Sequence, residues 1–346
     1  MSQLIPTARN GNVNDQPGRA AVAQLPSGPG VYRFRDSRGR VLYIGRAADL
    51  RRRVGSYWGG LGNRRQLSQM VTRIARVEAV ACDSEHEAAW LERNLLEREL
   101  PYWNRTRGGQ EVPVYICLDP QASSPGLRVV HTPALSPGSR QFGPYLGGNK
   151  VRLAVSALLR AMPLTYAGED QTGFGRDMAR MRSVGPADRG ALIDAVTAVL
   201  DRDTAALKSL RGELWRRRDR AALDLAFEVA ARLQAEVDAI DWVVSEQKAA
   251  LPEPHDFDVS GWAGGVLVRF DVRGGRLCVW RQRACLEAAA RAQVSATPAA
   301  WAEFAHRNAE LAARLAQCQP ASEASDQSVR WARPASADTR PPGRGP

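Results

Sequence analysis

Two short apolar segments joined by a polar tetrapeptide constrain this chain more than any other feature. Gly30–Arg35 (GVYRFR) and Arg40–Gly45 (RVLYIG) alternate in polarity, and Asp36-Ser37-Arg38-Gly39 separates them. A period of two buries one face of a strand, and Asp and Gly favour the turn, so the stretch predicts a β-hairpin. Ala48–Trp58 and Gln66–Val77 carry apolar residues at helical spacing. Glu78–Cys82 reads as a short third strand. Ser84, with Glu87 three residues on, forms a capping box that opens a third helix. That helix is expected to stop before Pro101. Residues 21–106 therefore predict a small α+β domain, a three-stranded antiparallel sheet with helices.

The rest of the chain divides by composition. Residues 1–20 read as a flexible polar lead. A mixed α/β segment covers 107–188, with strands at Val112–Leu118 and Leu127–His131, a turn at Phe142–Tyr145 and a helix over Lys150–Met162. Residues 167–188 show no clear period. Residues 189–250 are a helical region, with Ala191–Ala250 almost all helix and one break near Arg218–Arg220. Residues 251–318 predict a β-hairpin (Gly265–Val272 and Arg276–Gln282 around Arg273-Gly274-Gly275) followed by a helix over Ala299–Gln317. The Pro-rich tail, 319–346, is expected to be disordered.

Lys plus Arg number 48 against 37 Asp plus Glu, a net charge of +11, which favours a polyanionic partner, DNA foremost. Only Lys150, Lys208 and Lys248 are lysines, so the excess is carried by arginine. No apolar run reaches the length of a membrane span. The N-terminus lacks the apolar core of a signal peptide. The five cysteines form no C-x-x-C pair, which argues against a disulfide framework and fits a reducing cytoplasm.

Two tyrosines mark the hairpin, Tyr32 on its first strand and Tyr43 on its second. Either alone reads as a packing residue. If the first helix begins near Arg46, then Arg46, Arg53 and Tyr57 fall within about 40° of one another, a stripe suited to phosphate. On the third helix Glu92 lies at about 40° from Ala88, inside the arc marked by Leu91, Leu95 and Leu96. A carboxylate there needs an arginine, a proton or a metal to compensate its burial. Asn104, just past the helix, either orients a ligand or caps a turn.

The strings LPSGPGVYRF, LYIGRAADLRRRVGSYW and SEHEAAWLERNLLERELPYWN together resemble the GIY-YIG nuclease domain, specifically its UvrC and Cho branch. The resemblance covers roughly residues 25–105. It implies that Tyr32 and Tyr43 are the first two motif tyrosines, Arg53 the motif arginine, Tyr57 the third tyrosine, Glu92 the metal ligand and Asn104 the closing asparagine. Arg46 stands where this branch carries lysine; it keeps the positive charge but does not readily exchange a proton. The implied chemistry is phosphodiester hydrolysis with one divalent cation, Mg²⁺ or Mn²⁺, held by Glu92 and waters. One tyrosine would take the proton of the attacking water, its phenolate favoured by Arg46, Arg53 and the metal; which tyrosine does so stays open here.

A weaker resemblance continues. VPVYICLD and RQFGPYLGGNKVRLAVSALLRAMPL look like the segment after the UvrC nuclease domain. Residues 207–241 resemble the UVR motif through which UvrC meets UvrB, with Phe227, Glu228, Ala230, Ala231 and Leu233 matching. Gln234 and Ala235 replace its usual Arg-Asp pair. UvrC carries a cysteine cluster between these segments, but residues 163–206 contain no cysteine, so no iron–sulfur cluster is expected. Nothing in the sequence matches the family's RNase H-like or helix-hairpin-helix domains. The resemblance thus implies one nuclease centre making a single, 3′-side incision in nucleotide excision repair. Two alternatives stand beside it: an inactive DNA- or UvrB-binding adaptor, and a UvrB-independent structure-specific nuclease.

Overall fold

The computed structural model describes residues 17–59, 65–108, 111–121, 123–132, 137–169, 171–251 and 253–319. The lead up to residue 16 and the tail from residue 320 lie outside the described residues. Residues expected to close the flexible lead instead open helix α1 (Pro17–Val22). The predicted α+β architecture is present, with three separate three-stranded antiparallel sheets among helices in the described residues.

The hairpin forms as its alternation requires. Strand β1 (Gly30–Arg35) pairs with β2 (Val41–Ala47) on one side and β3 (Arg76–Ala81) on the other, giving the order β2-β1-β3. Helices α2 (Leu50–Gly55) and α3 (Arg65–Val71) lie between β2 and β3, and α4 (Glu85–Arg98) follows. The helix expected to run to Val77 ends at Val71, because Arg76 and Val77 pair with Arg35 and Phe34 of β1.

Both edges of this sheet are closed by side chains. On β2 the Asn104 amide accepts from Ile44 N–H at 3.0 Å and donates to Ile44 C=O at 2.7 Å. On β3 Asn308 treats Ala81 in the same two-way fashion, at 2.7 and 3.2 Å, and Gln319 treats Val77 so, at 2.7 and 3.0 Å.

The middle segment holds β4 (Val114–Leu118), β5 (Leu127–Val130) and β6 (Arg140–Tyr145), in the order β5-β4-β6, with α5 (Gly148–Ala161) packed against them. Phe142–Tyr145, expected as a turn, belongs to β6; an edge strand tolerates Pro144, which has no N–H to give. A short helix, α6 (Phe174–Met181), occupies the stretch without clear period.

The long helical region is three helices, α7 (Arg189–Leu200), α8 (Thr204–Leu223) and α9 (Phe227–Val243). The break expected near Arg218–Arg220 lies inside α8. The first true break is fixed by Asp203, whose side chain accepts from Ala206 N–H. The second passes through Leu225 in a left-handed conformation, φ 57°. Glu236 of α9, fully buried, takes both Arg160 and Ser156 of α5 at 2.8 Å, which locks the α8–α9 hairpin to the middle segment.

The C-terminal region adds a strand to the expected hairpin. Strands β7 (Phe257–Ala263), β8 (Val266–Arg273) and β9 (Arg276–Ala284) are followed by α10 (Glu287–Ser295) and α11 (Ala299–Gln317). Gly261 explains why β7 is hard to read: a Cβ there would overlap the Ala305 carbonyl, so the glycine lets α11 cross the strand closely. Helix α11 packs on both β3 and β7. Val31, Val80, Trp90 and Leu91 of the first sheet and α4 share one core with Phe270, Trp280 and Phe304.

The first turn of α4 carries an electrostatic balance. Ser84 caps the helix by accepting from Glu87 N–H, but the Glu87 carboxylate turns outward from the expected box to accept from Asp83 and Lys248 N–H groups. Burial and the Asp83 charge push Glu87 up to about 7, and burial with nearby Arg202 and Lys150 pulls His86 down to about 4. Unfolding takes up a proton at His86 between about pH 4 and 6.5, so its contribution weakens as pH falls. Unfolding releases a proton at Glu87 between about pH 4.5 and 7, so its contribution weakens as pH rises. The two slopes oppose each other over the shared window. His86→Phe is expected to unmask the Glu87 slope, its urea midpoint falling relative to the parent from pH 4.5 to 7. Glu87→Gln is expected to do the reverse. A His86→Phe midpoint running parallel to the parent's across that range would contradict the assignment.

Candidate active site

Three phenols converge above the β1–β2 hairpin. Tyr32 stands on β1, Tyr43 on β2 and Tyr57 just past α2, with ring centroids 6.0 to 6.3 Å apart. Phe34, two residues beyond Tyr32 on the same face, supports them from below, 5.3 Å from Tyr32 and 5.0 Å from Tyr57. The cross-strand partner of Tyr32 is Gly45. A Cβ at Gly45 would come within 2.6 Å of the Tyr32 hydroxyl and 2.7 Å of the Tyr43 ring, so the absent side chain is where the phenols fit.

Tyr32 and Tyr57 hydroxyls lie 2.8 Å apart, and the Tyr43 ring stands 6.3 Å from that of Tyr57. Arg53, on α2, lies 5.4 Å from the Tyr57 ring centroid, and its charge acts on Tyr32 and Tyr43. Tyr32 is fully buried and Tyr57 nearly so, while Tyr43 keeps partial access to solvent. Burial, then the negative character of the neighbouring phenols, pushes Tyr32 and Tyr43 well above the usual tyrosine range; Arg53 pulls the other way. Burial outweighs Arg53, so Tyr32 and Tyr43 are protonated; Arg53 does favour the phenolate, as expected, and a cation held by Glu92 would have to supply the remainder.

Glu92 projects from α4 toward this group, and its charge is one of the influences raising Tyr43. Its carboxylate accepts from Arg46 N–H at 3.1 Å and pairs with the Arg46 guanidinium at 3.4 Å. Burial still raises the Glu92 carboxyl above its usual range against the pull of Arg46 and Arg53. The compensation demanded by the helix pattern is thus an arginine, and it is incomplete. A hard, partly desolvated oxygen with unspent negative charge suits Mg²⁺, which takes one or two carboxylates and keeps waters. No group of three or more His, Cys, Asp or Glu side chains gathers for a metal among the described residues. Glu92 is the protein oxygen that would hold such an ion.

Arg46 sits on β2 opposite Val31, not at the start of a helix, because Asp49 caps α2 and the strand runs to Ala47. The expected stripe of Arg46, Arg53 and Tyr57 on one helix therefore does not form. Arg53 faces the phenols; Arg46 faces the carboxylates. The Arg46 guanidinium also pairs with Glu111 at 2.7 Å. Glu111 lies in the irregular connection to β4, and no motif or period in the sequence marks it. Asn104 commits its amide to Ile44 in both directions, so it steadies the strand between Tyr43 and Arg46.

A family model described as the UvrC-like GIY-YIG domain matches residues 28–105. Residues 28–105 are a UvrC-like GIY-YIG domain. This GIY-YIG domain, of a nuclease family, contains all seven site residues named above. The likeness to curated relatives runs beyond it. UvrABC system protein C of Moorella thermoacetica is 30% identical over 274 residues, 74% of this chain and 43% of the relative. The proteins of the same name from Mycolicibacterium paratuberculosis and Nocardia farcinica are 33% and 34% identical over 276 residues, 75% of this chain and 42% and 41% of theirs. The chain spans less than half the length of these relatives. Among solved structures, the GIY-YIG N-terminal endonuclease domain of UvrC from Thermotoga maritima, bound to its catalytic divalent cation magnesium, is 28% identical. That alignment covers 26% of this chain and 99% of the solved domain, with a TM-score of 0.25. No helix among the described residues is long and apolar enough to cross a membrane.

Proposed function

We propose that this protein is a divalent-cation-dependent DNA endonuclease that makes one incision, on the 3′ side of a lesion, in nucleotide excision repair. The observation that carries the reading is the Glu92 carboxylate, incompletely neutralised, beside three clustered tyrosines.

Each residue then has a definite task. Glu92 provides the oxygen for the ion. Bound there, Mg²⁺ or Mn²⁺ would neutralise charge on the phosphate and the leaving oxygen and favour ionisation of the nearby phenol. Tyr43 is the proton acceptor for the attacking water, because it alone of the three phenols combines solvent access with proximity to Glu92. Tyr57 stands beside Tyr43 and bonds the Tyr32 hydroxyl, so the grouped phenols share developing negative charge. Arg53 holds positive charge beside them. Arg46 offers a guanidinium to the phosphate, a pairing that needs no proton exchange. Asn104 positions β2 through Ile44.

A UvrB-type protein partner fits the α8–α9 hairpin. Leu223, Leu225, Phe227 and Val229, 51–80% exposed, cluster around its turn. Exposed apolar groups gathered at one tip mark a contact surface. The matching residues of the UVR-like segment fall in the first half of α9, directly after this turn.

The test is a nicking assay on damaged and branched DNA, with Mg²⁺ or Mn²⁺ and with or without UvrB. Metal-dependent nicking stimulated by UvrB on damaged DNA is the expected result. UvrB-independent cutting of branched DNA would favour the free-standing nuclease instead, and binding without cutting the adaptor. Because the phenols start protonated, the single-turnover rate is expected to rise with pH from about 7 to 9. Arg53→Gln removes the cation that eases their ionisation and is expected to move that rise to higher pH. A pH-independent rate in both proteins would reject Tyr43 as the proton acceptor.

A further inference from the structure

A cleft of about 670 Å³ runs from Arg46 to the start of α5, between the GIY-YIG domain and the middle segment. Small alanine side chains of β2 and α4 line part of it, and Lys150 and Arg152 of α5 stand on the opposite wall. Two ion pairs bridge its walls in opposite senses. Arg46 of the nuclease domain pairs with Glu111 of the connection at 2.7 Å, and Glu85 of the nuclease domain pairs with Lys150 at 3.4 Å. All four side chains are 39–53% exposed. Arg152 lies beside them, 3.5 Å from the Asn149 amide oxygen.

We propose that this cleft binds one strand of nucleic acid leading away from the scissile phosphate, its phosphates replacing Glu111 and Glu85 as the partners of Arg46 and Lys150. Resting on the nuclease reading above, the proposal adds the path of the substrate. Three arguments support it. The cleft starts at Arg46, the cation next to Glu92, so a strand lying in it is continuous with the reacting centre. Its volume admits a single strand and is far too small for a duplex. Ion pairs this exposed contribute about 0–1 kcal/mol each, so a polyanion that releases its own counterions displaces the carboxylates readily. The two acids thus keep the cations extended across an empty cleft and yield them to phosphate.

The reading makes predictions of opposite sign for the two kinds of side chain. The probe is a fluorescein-labelled single-stranded oligodeoxynucleotide, titrated with the full chain between about 50 and 200 mM KCl. Lys150→Gln/Arg152→Gln is expected to bind about tenfold more weakly, with the slope of log affinity against log salt reduced by about 1.4, the loss of two single-strand phosphate contacts. Its KM for cutting should rise with kcat unchanged. Glu85→Gln/Glu111→Gln is expected to bind about fivefold more tightly, since the competing anions are gone. A role confined to holding the two domains together would lower the melting temperature of both variants and leave the salt slope alone. Unchanged affinity and slope in the basic variant, or weaker binding in the acidic one, overturns the proposal. Failure of the parent protein to nick DNA would remove the nuclease reading, whereas these binding shifts test the cleft without any cutting.

Discussion

Glu92→Gln is expected to abolish strand cutting while leaving the protein folded. Glutamine keeps the shape and the oxygen that accepts from Arg46 N–H, so the contact between α4 and β2 survives. It removes the negative charge that a divalent cation requires. Metal stabilisation of a phosphoryl transition state is worth several kcal/mol, and a loss of about 4 kcal/mol corresponds to roughly a thousandfold in rate. The variant should also melt at or above the parent temperature, because burial makes the Glu92 charge unfavourable in the fold. Nicking and thermal melting measured on the same preparations separate the two effects. Retained cutting would remove Glu92 from the site, and lost cutting accompanied by a lower melting temperature would make it a structural residue.

Glu78→Gln is expected to cost about 3–5 kcal/mol of stability. Glu78 on β3 is almost completely buried and pairs with both Arg33 and Arg35. Burial opposes its ionisation, but the two guanidinium charges outweigh it and hold the carboxyl below its usual range. Burial pulls Arg33 down to about 10 even with Glu78 beside it, so it remains charged at neutral pH. Arg33 also donates to the Trp280 carbonyl at 2.8 Å and stacks 3.8 Å from that ring's centroid, tying β1 to β9. Neutralising Glu78 leaves buried Arg33 and part-buried Arg35 without their counter-ion, whereas Arg33→Met/Glu78→Met removes the buried pair together and should recover most of the loss. Urea unfolding of the three proteins decides the matter. A Glu78→Gln loss below about 1 kcal/mol would mean that solvent reaches the pair.

The hairpin was legible because alternation and a Gly-containing turn act locally. The phenols followed, since residues two apart on one strand and across a hairpin must share a face. Glu92 was legible as a misplaced charge on an apolar arc. What escaped was whatever depends on distant pairing. Arg76 and Val77 fit a helical period and are strand only because β1 lies beside them. Phe142–Tyr145 reads as a turn and is an edge strand because β4 draws it in. Leu225 breaks the long helical run without glycine or proline, so nothing local announces it. Asp203 caps α8 inside a run whose period reads as continuous helix. Arg46 shares a face with Arg53 and Tyr57 only if the helix begins near it, and the Asp49 cap three residues later keeps it on the strand. Glu111 has no motif at all; only the folded connection brings it to Arg46.

The three amides at the margins of the sheet that carries Tyr32 and Tyr43 each give and take a hydrogen bond at once. An aspartate or glutamate in the same place accepts but does not donate, so deamidation with age would unlatch one strand margin at a time. Kept intact, the amides deny a neighbouring chain any free margin on which to stack, which favours solubility in a crowded cell. They also occupy positions at which a peptide would otherwise join as an extra strand.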